Sequence, residues 1–431
     1  MKGYRQSRFT LNTPIEVGDN DGIALYNTLT RALILMPENQ WMNLLNESSA
    51  TDPESVNRLL QSGILVKNDI DEAIVFNEWK QRQVHDFSTI RSKVLVTRKC
   101  NNRCTYCILT SEPKDMSHET ARDMDCFYFE QIESNHPMQV RDDYLGGEPL
   151  MNHRIIIESA SRRFYFCKGR KIDYGFIITT NGTLLTPKII HRLKTVGLTA
   201  ARVSLAGPAE LHDRLRPSAD EKKTYEKIME NLEKISGLIP ISIECQYDAG
   251  ARDFKRIPEM LDDIKRRNIE VENIAFTPIL EKRGGNRFLA EKKDLQKFLF
   301  LQKSALTRGF PANDIAPSNA CMADFRSFFV FDTDGSIIPC PSLQGGEMAY
   351  GNVLNGIDFV AESQLLHRNI PDKCLESCEI LPICMGGCRL QALTYREDFN
   401  GIDCHYDAYR RLLTEYVRYK AMEYFKHDIS N

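Results

Sequence analysis

Three cysteines fall within eight residues of the sequence, at Cys100, Cys104 and Cys107, directly after the apolar run VLVT. Cysteine thiolates are ligands of zinc and of iron–sulfur clusters. Three thiolates are too few to close a tetrahedral zinc site, and an odd number does not pair into disulfides. A [4Fe–4S] cluster needs four ligands, so three cysteines would leave one iron open to a small-molecule chelate.

The chain has thirteen cysteines, and a second group occupies its last third. That group consists of Cys321, Cys340, Cys374, Cys378, Cys384, Cys388 and Cys404. In a chain without a recognisable secretion signal, cysteines in such number are expected to bind metal or clusters rather than to form disulfides. Cys126, Cys167 and Cys245 stand alone. We expect these three to be small apolar core residues.

Composition excludes several classes of protein. The net charge is -3 and the pI is about 6.3, without the basic excess of a nucleic-acid-binding protein. No apolar run reaches the roughly 18 residues of a membrane span, and the first residues lack the apolar core of a signal peptide. We therefore expect a cytoplasmic protein that binds neither nucleic acid nor membrane.

Residues 91–312 alternate between strand and helix. Six runs favour strands: KVLVT, DYLGG, IDYGFIITT, TAARVSLAG, PISIECQYD and NIAFTPIL. One helix between them is well marked, with Thr186 as N-cap, Pro187 in the first turn and Gly197 as the stop. Repeated βα units predict an α/β fold with a parallel sheet and right-handed crossovers. Six strands favour a partial (β/α)6 TIM-like barrel, and an open sheet also fits.

Small and polar residues follow several of these strands. GGEP (Gly146, Gly147, Glu148 and Pro149) ends the second, TTNG ends the third and SLAG ends the fourth. The carboxyl ends of parallel strands lie on one rim, where α/β proteins bind their ligands. Glycine there would let backbone groups approach a polar ligand closely.

Two further regions flank the barrel. Residues 1–90 predict strands followed by helices, as in a winged-helix-like module. This module is either an ordinary capping domain or a peptide-binding unit that adds a strand to its edge. Residues 313–431 contain the second cysteine group, a hairpin turning at Asp334-Gly335 and a final amphipathic helix.

The spacing C-x3-C-x-aromatic-C, followed by GGEP, TNG and SL at successive strand ends, resembles the radical S-adenosylmethionine (SAM) superfamily. In that family three cysteines hold a [4Fe–4S] cluster whose open iron binds the amino and carboxylate groups of SAM. The reduced cluster cleaves SAM to a 5′-deoxyadenosyl radical, which abstracts hydrogen from the substrate. The competing interpretation is a zinc loop with a distant fourth ligand.

The resemblance assigns roles to individual residues. Cys100, Cys104 and Cys107 would be the catalytic cluster ligands, Glu148 and the adjoining backbone would receive the methionyl amino group, and Arg216 would pair with the carboxylate. The alternative for Arg216 is a surface ion pair with Asp213. The remaining cofactor-binding residues would be Tyr106 near the adenine, with Gly146, Gly147, Pro149, Thr180, Asn181 and Ser204. Relatives usually read SLDG where this chain has Ala206, so a carboxylate is missing there.

The second cysteine group resembles the SPASM extension, which carries auxiliary iron–sulfur clusters in peptide-modifying radical enzymes. By resemblance, Cys321, Cys340 and Cys388 would hold one auxiliary cluster, and Cys374, Cys378, Cys384 and Cys404 the other, both of the [4Fe–4S] type. Cys374-x3-Cys378 departs from the usual two intervening residues. With three ligands, the first cluster would have an open iron able to bind a substrate thiolate. A pair of zinc sites is the alternative.

These features predict a radical SAM maturase for a ribosomally synthesised precursor peptide. The N-terminal module resembles leader-peptide recognition domains, and auxiliary clusters can accept the electron left when a substrate radical closes a bond. A thioether or carbon–carbon cross-link is therefore the expected product, with a flavodoxin- or ferredoxin-type reductant as partner. The alternatives are a sulfatase-maturase-like formylglycine-forming oxidase and a non-enzymatic iron–sulfur electron carrier. Glu244 and Asp248, after the fifth strand, are candidate bases or buried ion-pair members.

Overall fold

The N-terminal part of the chain folds into two small antiparallel sheets and three helices. In the computed structural model, which describes residues 3–17, 20–46, 52–108, 112–248, 252–279, 292–311, 320–346 and 348–428, it carries the predicted elements. They are β1 (Tyr4–Gln6), β2 (Thr10–Val17), β3 (Asn20–Asn27), β4 (Leu33–Pro37), α1 (Glu38–Asn46), α2 (Pro53–Gln61), β5 (Leu65–Lys67) and α3 (Glu72–Val84). β2, β3 and β4 form a meander, and β1 pairs with β5. The Asp71 side chain caps α3.

A parallel sheet of six strands in chain order follows, as the βα pattern predicts. Its elements are β6 (Thr89–Thr97), α4 (His118–Asn135), β7 (Gln139–Gly146), α5 (His153–Gly169), β8 (Asp173–Thr180), α6 (Pro187–Lys194), β9 (Leu198–Leu205), α7 (Ala209–Leu215), α8 (Tyr225–Ile235), β10 (Ile241–Tyr247), α9 (Ile257–Arg266), β11 (Asn273–Pro278) and α10 (Lys292–Thr307). Thr186 caps α6 by accepting from the backbone N–H of Ile189, and Gly197 has a φ of +105°. This α/β architecture brings the carboxyl ends of β6 to β11 to one rim.

The sheet continues into the C-terminal region. There the elements are β12 (Phe328–Phe331), β13 (Ser336–Ile337), β14 (Gly351–Asn352), β15 (Gly356–Ile357), α11 (Phe359–Leu366), α12 (Asp372–Ser377), α13 (Leu381–Cys384), α14 (Arg389–Arg396) and α15 (Tyr406–Asp428). β12 lies parallel to β6, and β12 and β13 form the predicted hairpin. Gly335 in its turn has a φ of +85°, which favours glycine. The cysteine-rich region is therefore hydrogen-bonded to the first barrel strand, through the pairing of β12 with β6.

The apolar layer between the sheet and its helices encloses a charged network. Arg163 of α5 is fully buried, and it donates to Asp125 on α4 at 2.7 Å and to Asp142 on β7 at 2.9 Å. Its guanidinium also lies 4.3 Å from the ring centroid of Tyr128. Buried charges require such partners, so this network fixes α4 and α5 against the sheet.

The N-terminal module packs on the C-terminal region. Leu11 and Tyr26, on β2 and β3, share one apolar cluster with Leu412, Leu413 and Val417 of α15. A second cluster joins Phe9 and Phe76 to Leu381, with Cys374 and Cys378 packed against it. The predicted domain boundary near residue 90 stays a prediction, and the one at 312–313 lies outside the described residues.

The three isolated cysteines have different environments. Cys167 and Cys245 are fully buried in the main core, as expected. The expectation for Cys126 is wrong, because it is exposed on the outer face of α4. In the part of the chain that the structure describes, no helix is long and apolar enough to cross a bilayer.

Candidate active site

The cysteine loop after β6 lies on the segment that follows α7. Its backbone donates from Arg103 N–H to the Pro217 carbonyl at 2.8 Å and from Thr105 N–H to the Leu215 carbonyl at 2.9 Å. Asn181, after β8, donates to the Asn101 side chain at 2.8 Å and lies 3.9 Å from the Cys100 sulfur. The loop is thus held at two points, the end of β8 and the segment that follows α7.

Two glycines make room for this loop. A Cβ atom on Gly146 would lie 2.1 Å from the Thr97 carbonyl oxygen, and one on Gly147 would lie 2.2 Å from that of Lys99. The Gly147 N–H donates to the Thr97 carbonyl at 2.8 Å. The side on which a Cβ would lie is thus occupied by the chain's own backbone at the start of the cysteine loop, and the expectation that these glycines let a ligand approach stays a prediction.

Glu148 lies behind the cysteine loop and is completely buried. Its carboxylate accepts from the Thr180 hydroxyl at 2.7 Å, from Asn181 N–H at 2.8 Å and from Leu150 N–H at 3.1 Å. Burial raises the pKa of Glu148, and these donors oppose that shift. As placed, its carboxylate joins the ends of β7 and β8, and the predicted contact with a ligand amino group stays a prediction.

A cavity of about 270 Å³ opens at the rim. Its wall includes ten predicted site residues: Cys100, Cys104, Tyr106, Cys107, Gly146, Gly147, Thr180, Asn181, Ser204 and Arg216. Glu148 and Pro149 are buried behind that wall. Residues from the cysteine loop and from the ends of β7 to β11 thus face one space, as the strand-end argument predicted.

Arg216 is the cation in this wall. It is 7% exposed, and its Nη1 donates to the Tyr106 hydroxyl at 2.6 Å and to the Gln246 Oε1 at 2.7 Å. Tyr106 in turn donates to the same Gln246 oxygen at 2.6 Å. The alternative of a surface ion pair with Asp213 is wrong, because Asp213 accepts from the first backbone N–H groups of α8. Arg216 therefore directs its charge toward the cavity.

A buried chain of hydrogen bonds holds the backbone of Arg216. The Ala206 N–H donates to His212 Nδ1 at 3.3 Å, and His212 Nε2 lies 3.2 Å from the Thr224 hydroxyl. That hydroxyl donates to the Arg216 carbonyl at 2.9 Å. Burial, aided by the Arg216 charge, holds the pKa of His212 well below its usual range. His212 is thus a neutral link between the end of β9 and Arg216, at the point where Ala206 replaces the carboxylate of relatives.

Several buried polar atoms in the cavity wall have no partner among the described residues. They are both side-chain amide atoms of Asn102 and the Nε of Arg216. Buried polar atoms left without hydrogen bonds are costly, so they mark where a ligand would supply partners. Burial also raises the pKa of Cys100 to about 11 and raises that of Cys104, so their deprotonation needs a cationic partner such as iron.

The seven C-terminal cysteines fall into two groups by the influence that they have on one another's pKa values. Burial raises the pKa of Cys321 to about 11, and Cys340 raises it further. Burial also raises the pKa of Cys340, and Cys388 raises it further. In the other group burial again raises the pKa values of Cys374, Cys378 and Cys384, and each of these pKa values is raised further by at least one other cysteine of the group. The two predicted ligand sets stay predictions. Among the described residues, no three His, Cys, Asp or Glu side chains converge as ligands of a single metal ion do.

Residues 94–245 match the family model described as the radical SAM superfamily. This segment runs from β6, which precedes the cysteine loop, to β10, and it contains the cysteine loop and the strand-end residues. It is a radical SAM domain. The protein is therefore an enzyme that contains a radical SAM domain.

Relatives of this radical SAM enzyme include maturases. It is 23% identical to a cysteine-type anaerobic sulfatase-maturating enzyme of Clostridium novyi, over 67% of this chain and 85% of that protein. The structure of native anSMEcpe with bound AdoMet and a peptide aligns with a TM-score of 0.60 and 16% identity, over 80% of this chain and all of the other. Streptococcus suis SuiB bound to precursor peptide SuiA aligns with a TM-score of 0.55 and 16% identity, over 93% and 99%. Both structures show the same fold.

The radical SAM cofactors fit the residues present. Cys100, Cys104 and Cys107 would hold the [4Fe–4S] cluster, and the open side of their loop faces the cavity with its unpartnered Asn102 and Arg216 atoms. Arg216 suits a carboxylate, since a planar guanidinium binds that group well. These ligand assignments remain predictions, as do those for the two C-terminal cysteine sets.

Sequence reasoning missed Asn102, His212 and Gln246. Gln246 lies on β10, whose burial alternates residue by residue, so it shares a face of the strand with Glu244 and could have been found from that alternation. Glu244 accepts from Thr277 at 3.4 Å and is not part of the cavity wall, and neither is Asp248. Asn102 could have been suspected from its place between the cysteines, whereas His212 becomes visible only in the folded chain.

Proposed function

We propose that this radical SAM enzyme modifies a ribosomally synthesised precursor peptide by forming a thioether or carbon–carbon cross-link. The observation that carries the proposal is the N-terminal module, which packs against the C-terminal cysteine region. The SuiB alignment leaves only about 7% of this chain outside, so it takes in most of the module, whereas the anSMEcpe alignment leaves about a fifth outside. A module that packs against the C-terminal cysteine region suits a peptide substrate that is long enough to contact the module and to reach the cavity at the cysteine loop.

The bound groups would supply the radical chemistry. A [4Fe–4S] cluster with SAM at the cysteine loop supplies a 5′-deoxyadenosyl radical that removes a hydrogen atom from the substrate. Clusters at the C-terminal sets would provide the acceptor for the electron that remains when the substrate radical closes a bond. For a thioether, the thiol proton leaves to solvent or to a base, so one C–H and one S–H bond are exchanged for one C–S bond. A flavodoxin or ferredoxin would supply the reducing electron.

The chain's own residues bind and orient. Arg216 would hold the carboxylate of SAM, with Tyr106 and Gln246 fixing its direction. Thr179, which lines the cavity, donates to Asp143 at 2.9 Å, and Lys93 and Arg202 each lie 3.7 Å from that carboxylate. Thr179 would face the substrate, and its hydroxyl, oriented by Asp143, would help to position a polar backbone or side chain.

The test begins with the protein reconstituted with iron and sulfide under anaerobic conditions. With SAM and dithionite it is expected to release 5′-deoxyadenosine, and Cys104→Ala is expected to release none. Peptides encoded by the short reading frames next to its own gene are then added. We expect one of them to lose two hydrogens and to gain a cross-link located by tandem mass spectrometry. Failure to cleave SAM, or modification of no such peptide, would contradict the proposal.

A sulfatase-maturase-like oxidation is the second candidate, because the Clostridium novyi maturase is covered over 85% of its length. A sulfatase-derived peptide containing the target cysteine or serine separates the two functions. Formylglycine formation yields an aldehyde that reacts with hydrazides, whereas a cross-link yields none. An aldehyde on the sulfatase peptide, with the neighbouring-frame peptides unchanged, would favour this candidate.

A further inference from the structure

A buried arginine lies inside the loop that connects the two C-terminal cysteine sets. The Arg368 side chain is 1% exposed. Its Nη1 donates to the carbonyls of Met385 at 3.2 Å and Gly387 at 2.9 Å. Gly386 lies so close that a Cβ there would be 2.7 Å from Nη1. The guanidinium is therefore enclosed by the CMGGC loop, whose first cysteine, Cys384, belongs to one set and whose last, Cys388, belongs to the other.

The other two nitrogens of Arg368 lack partners. Nε and Nη2 are buried, and neither has a hydrogen-bond acceptor among the described residues. The nearest carboxylate, Asp324, lies 3.8 Å from Nη1 and gives its Oδ1 to Arg389, at 3.0 Å from Nε and 2.6 Å from Nη2. Two donors of a buried cation thus have no hydrogen-bond acceptor among the described residues, and the unpartnered Oδ2 of Asp324, 3.8 Å from Nη1, is too far away to form a hydrogen bond with that nitrogen.

The charges around Arg368 do not balance. Arg368 and Arg389 are both buried, and Asp324 is the one carboxylate that pairs with them among the described residues. Lys80 adds a further basic group, donating to the Arg368 carbonyl at 3.3 Å. A buried cation without a compensating anion costs several kcal/mol, so such a surplus implies a missing anion. An iron–sulfur cluster ligated by thiolates carries net negative charge and sulfur atoms that accept hydrogen bonds.

We propose that Arg368 is a positioning residue for an auxiliary iron–sulfur cluster: its Nε–H and Nη2–H groups donate to sulfur atoms of the cluster, and its charge favours the reduced form. Net charge and hydrogen bonds to the sulfurs set the reduction potential of such clusters. Arg368 would therefore make the cluster a better acceptor for the electron released in bond formation. This inference rests on the proposed auxiliary clusters and adds the residue that tunes one of them.

The test is a redox titration followed by electron paramagnetic resonance. Arg368→Gln removes the charge, and Arg368→Lys keeps the charge but has no counterpart of the Nε–H. Lys373→Gln is the matched control, because it removes one positive charge beside Cys374 at an exposed position, where solvent screens it. Iron and sulfide are measured for every variant before titration, so that cluster content and potential are judged separately.

We expect Arg368→Gln to make one auxiliary cluster about tenfold harder to reduce, a downward shift of about 59 mV for one electron. Arg368→Lys should fall between Arg368→Gln and the unaltered protein, and Lys373→Gln should match the unaltered protein. Full clusters with an unchanged midpoint in Arg368→Gln would overturn the inference.

Loss of a cluster in the Arg368 variants also bears on the inference. Iron lost in Arg368→Gln and retained in Arg368→Lys would support charge compensation. Loss of iron in both variants would overturn the inference, because retention of the cluster would then depend on the shape of the arginine side chain and not on its charge. If the unaltered protein carries no cluster beyond the one at the cysteine loop, the proposed auxiliary clusters fail, not the role of Arg368 alone.

Discussion

Arg216 is fixed at both ends, by Tyr106 and Gln246 at its guanidinium and by the Thr224 hydroxyl at its carbonyl. Such fixing lowers the entropy that the side chain loses when it binds an anion. Of the three neighbours that direct this residue, the sequence singled out Tyr106 but not Gln246 or Thr224.

Substitution of Arg216 by lysine should weaken SAM binding about 10- to 100-fold, because a planar two-point donor is replaced by a point charge. Isothermal titration of the reconstituted protein with SAM measures the effect. Arg214→Lys is the control, since Arg214 is 62% exposed and pairs with Asp253 at the surface. Equal SAM affinity in Arg216→Lys and the unaltered protein would refute the carboxylate assignment.

His212 predicts a pH dependence of stability. Its pKa is held well below the ordinary value of about 6.5, so below that pH the unfolded chain takes up a proton that the folded chain does not. The free energy of unfolding should therefore fall with decreasing pH, by up to about 1.4 kcal/mol per unit, until the lowered pKa is reached. His212→Gln removes this contribution to the slope.

Urea titrations between about pH 5 and 7.5 test the slope, since this window spans the ordinary histidine pKa. His118→Gln serves as the control, because His118 is 65% exposed. A slope in His212→Gln as steep as in the unaltered protein would show that His212 is not the group responsible.

At the residue scale, the sequence predicted which residues line the cavity better than it predicted what each of them contacts. The cysteines, Asn181 and Arg216 were found because their chemistry and their place after strands are visible in the chain. The contact of Glu148 with a ligand stays a prediction, and its three protein donors, Thr180, Asn181 and Leu150, were not predicted. Which of several possible partners a carboxylate takes depends on loop geometry, which spacing does not specify.

Among the elements, the hairpin of β12 and β13 is the one that fixes the cysteine loop from outside the barrel. Arg98, two residues before Cys100, donates from Nε and Nη2 to the two oxygens of Asp332 at 3.0 and 2.6 Å. The pair is buried, with side-chain exposures of 7% and 0%. The hairpin therefore holds the start of the radical site through both a strand pairing and an ion pair.

Asp332→Asn should cost up to about 3–5 kcal/mol, because it removes the buried partner of the Arg98 charge and leaves only Asp334, which lies 3.5 Å from Nη2 and is 31% exposed. Asp262→Asn is a matched control: Asp262 binds Arg308 in the same two-point manner, at 2.7 and 3.0 Å, but is 60% exposed. For such a surface pair we expect less than about 1 kcal/mol. Chemical denaturation of both variants gives the comparison, and equal losses would contradict the role of burial.

Elements were predicted well because their signals are local. The N-cap at Thr186, the turn at Gly335 and the alternation of β10 each lie within a few residues. The Arg163 network could not be predicted, since its partners Asp125 and Asp142 come from other elements and each residue alone is typical of a surface. The pairing of β12 with β6 could not be predicted either, because the two strands are far apart in the sequence.

Over the whole molecule, the first and last elements share a core. β2 and β3 contribute Leu11 and Tyr26, α15 contributes Leu413, and the Tyr26 and Tyr416 rings lie 6.0 Å apart. The Thr28 hydroxyl also donates to the Glu379 carbonyl at 2.5 Å, next to Cys378. The module and the cysteine region should therefore gain and lose their structure together.

Leu413→Ala is expected to cost about 2–5 kcal/mol, because Leu413 is completely buried. Hydrogen exchange should rise in β2 and β3, although these strands are remote from it in sequence. Leu232→Ala, at an equally buried position of α8 in the main core, should leave exchange in β2 and β3 unchanged. Independent exchange of β2 and β3 in Leu413→Ala would mean that the module folds on its own.

The shared core also limits how such enzymes can be recombined. A chimera that takes only residues 1–90 from a relative would set foreign strands against this chain's α15 and against the face that packs on Cys374 and Cys378. An engineer who wishes to transfer substrate choice between relatives must therefore move the matching face of α15 along with the strands. The unit of exchange is defined by contact, and it consists of two segments from opposite ends of the chain.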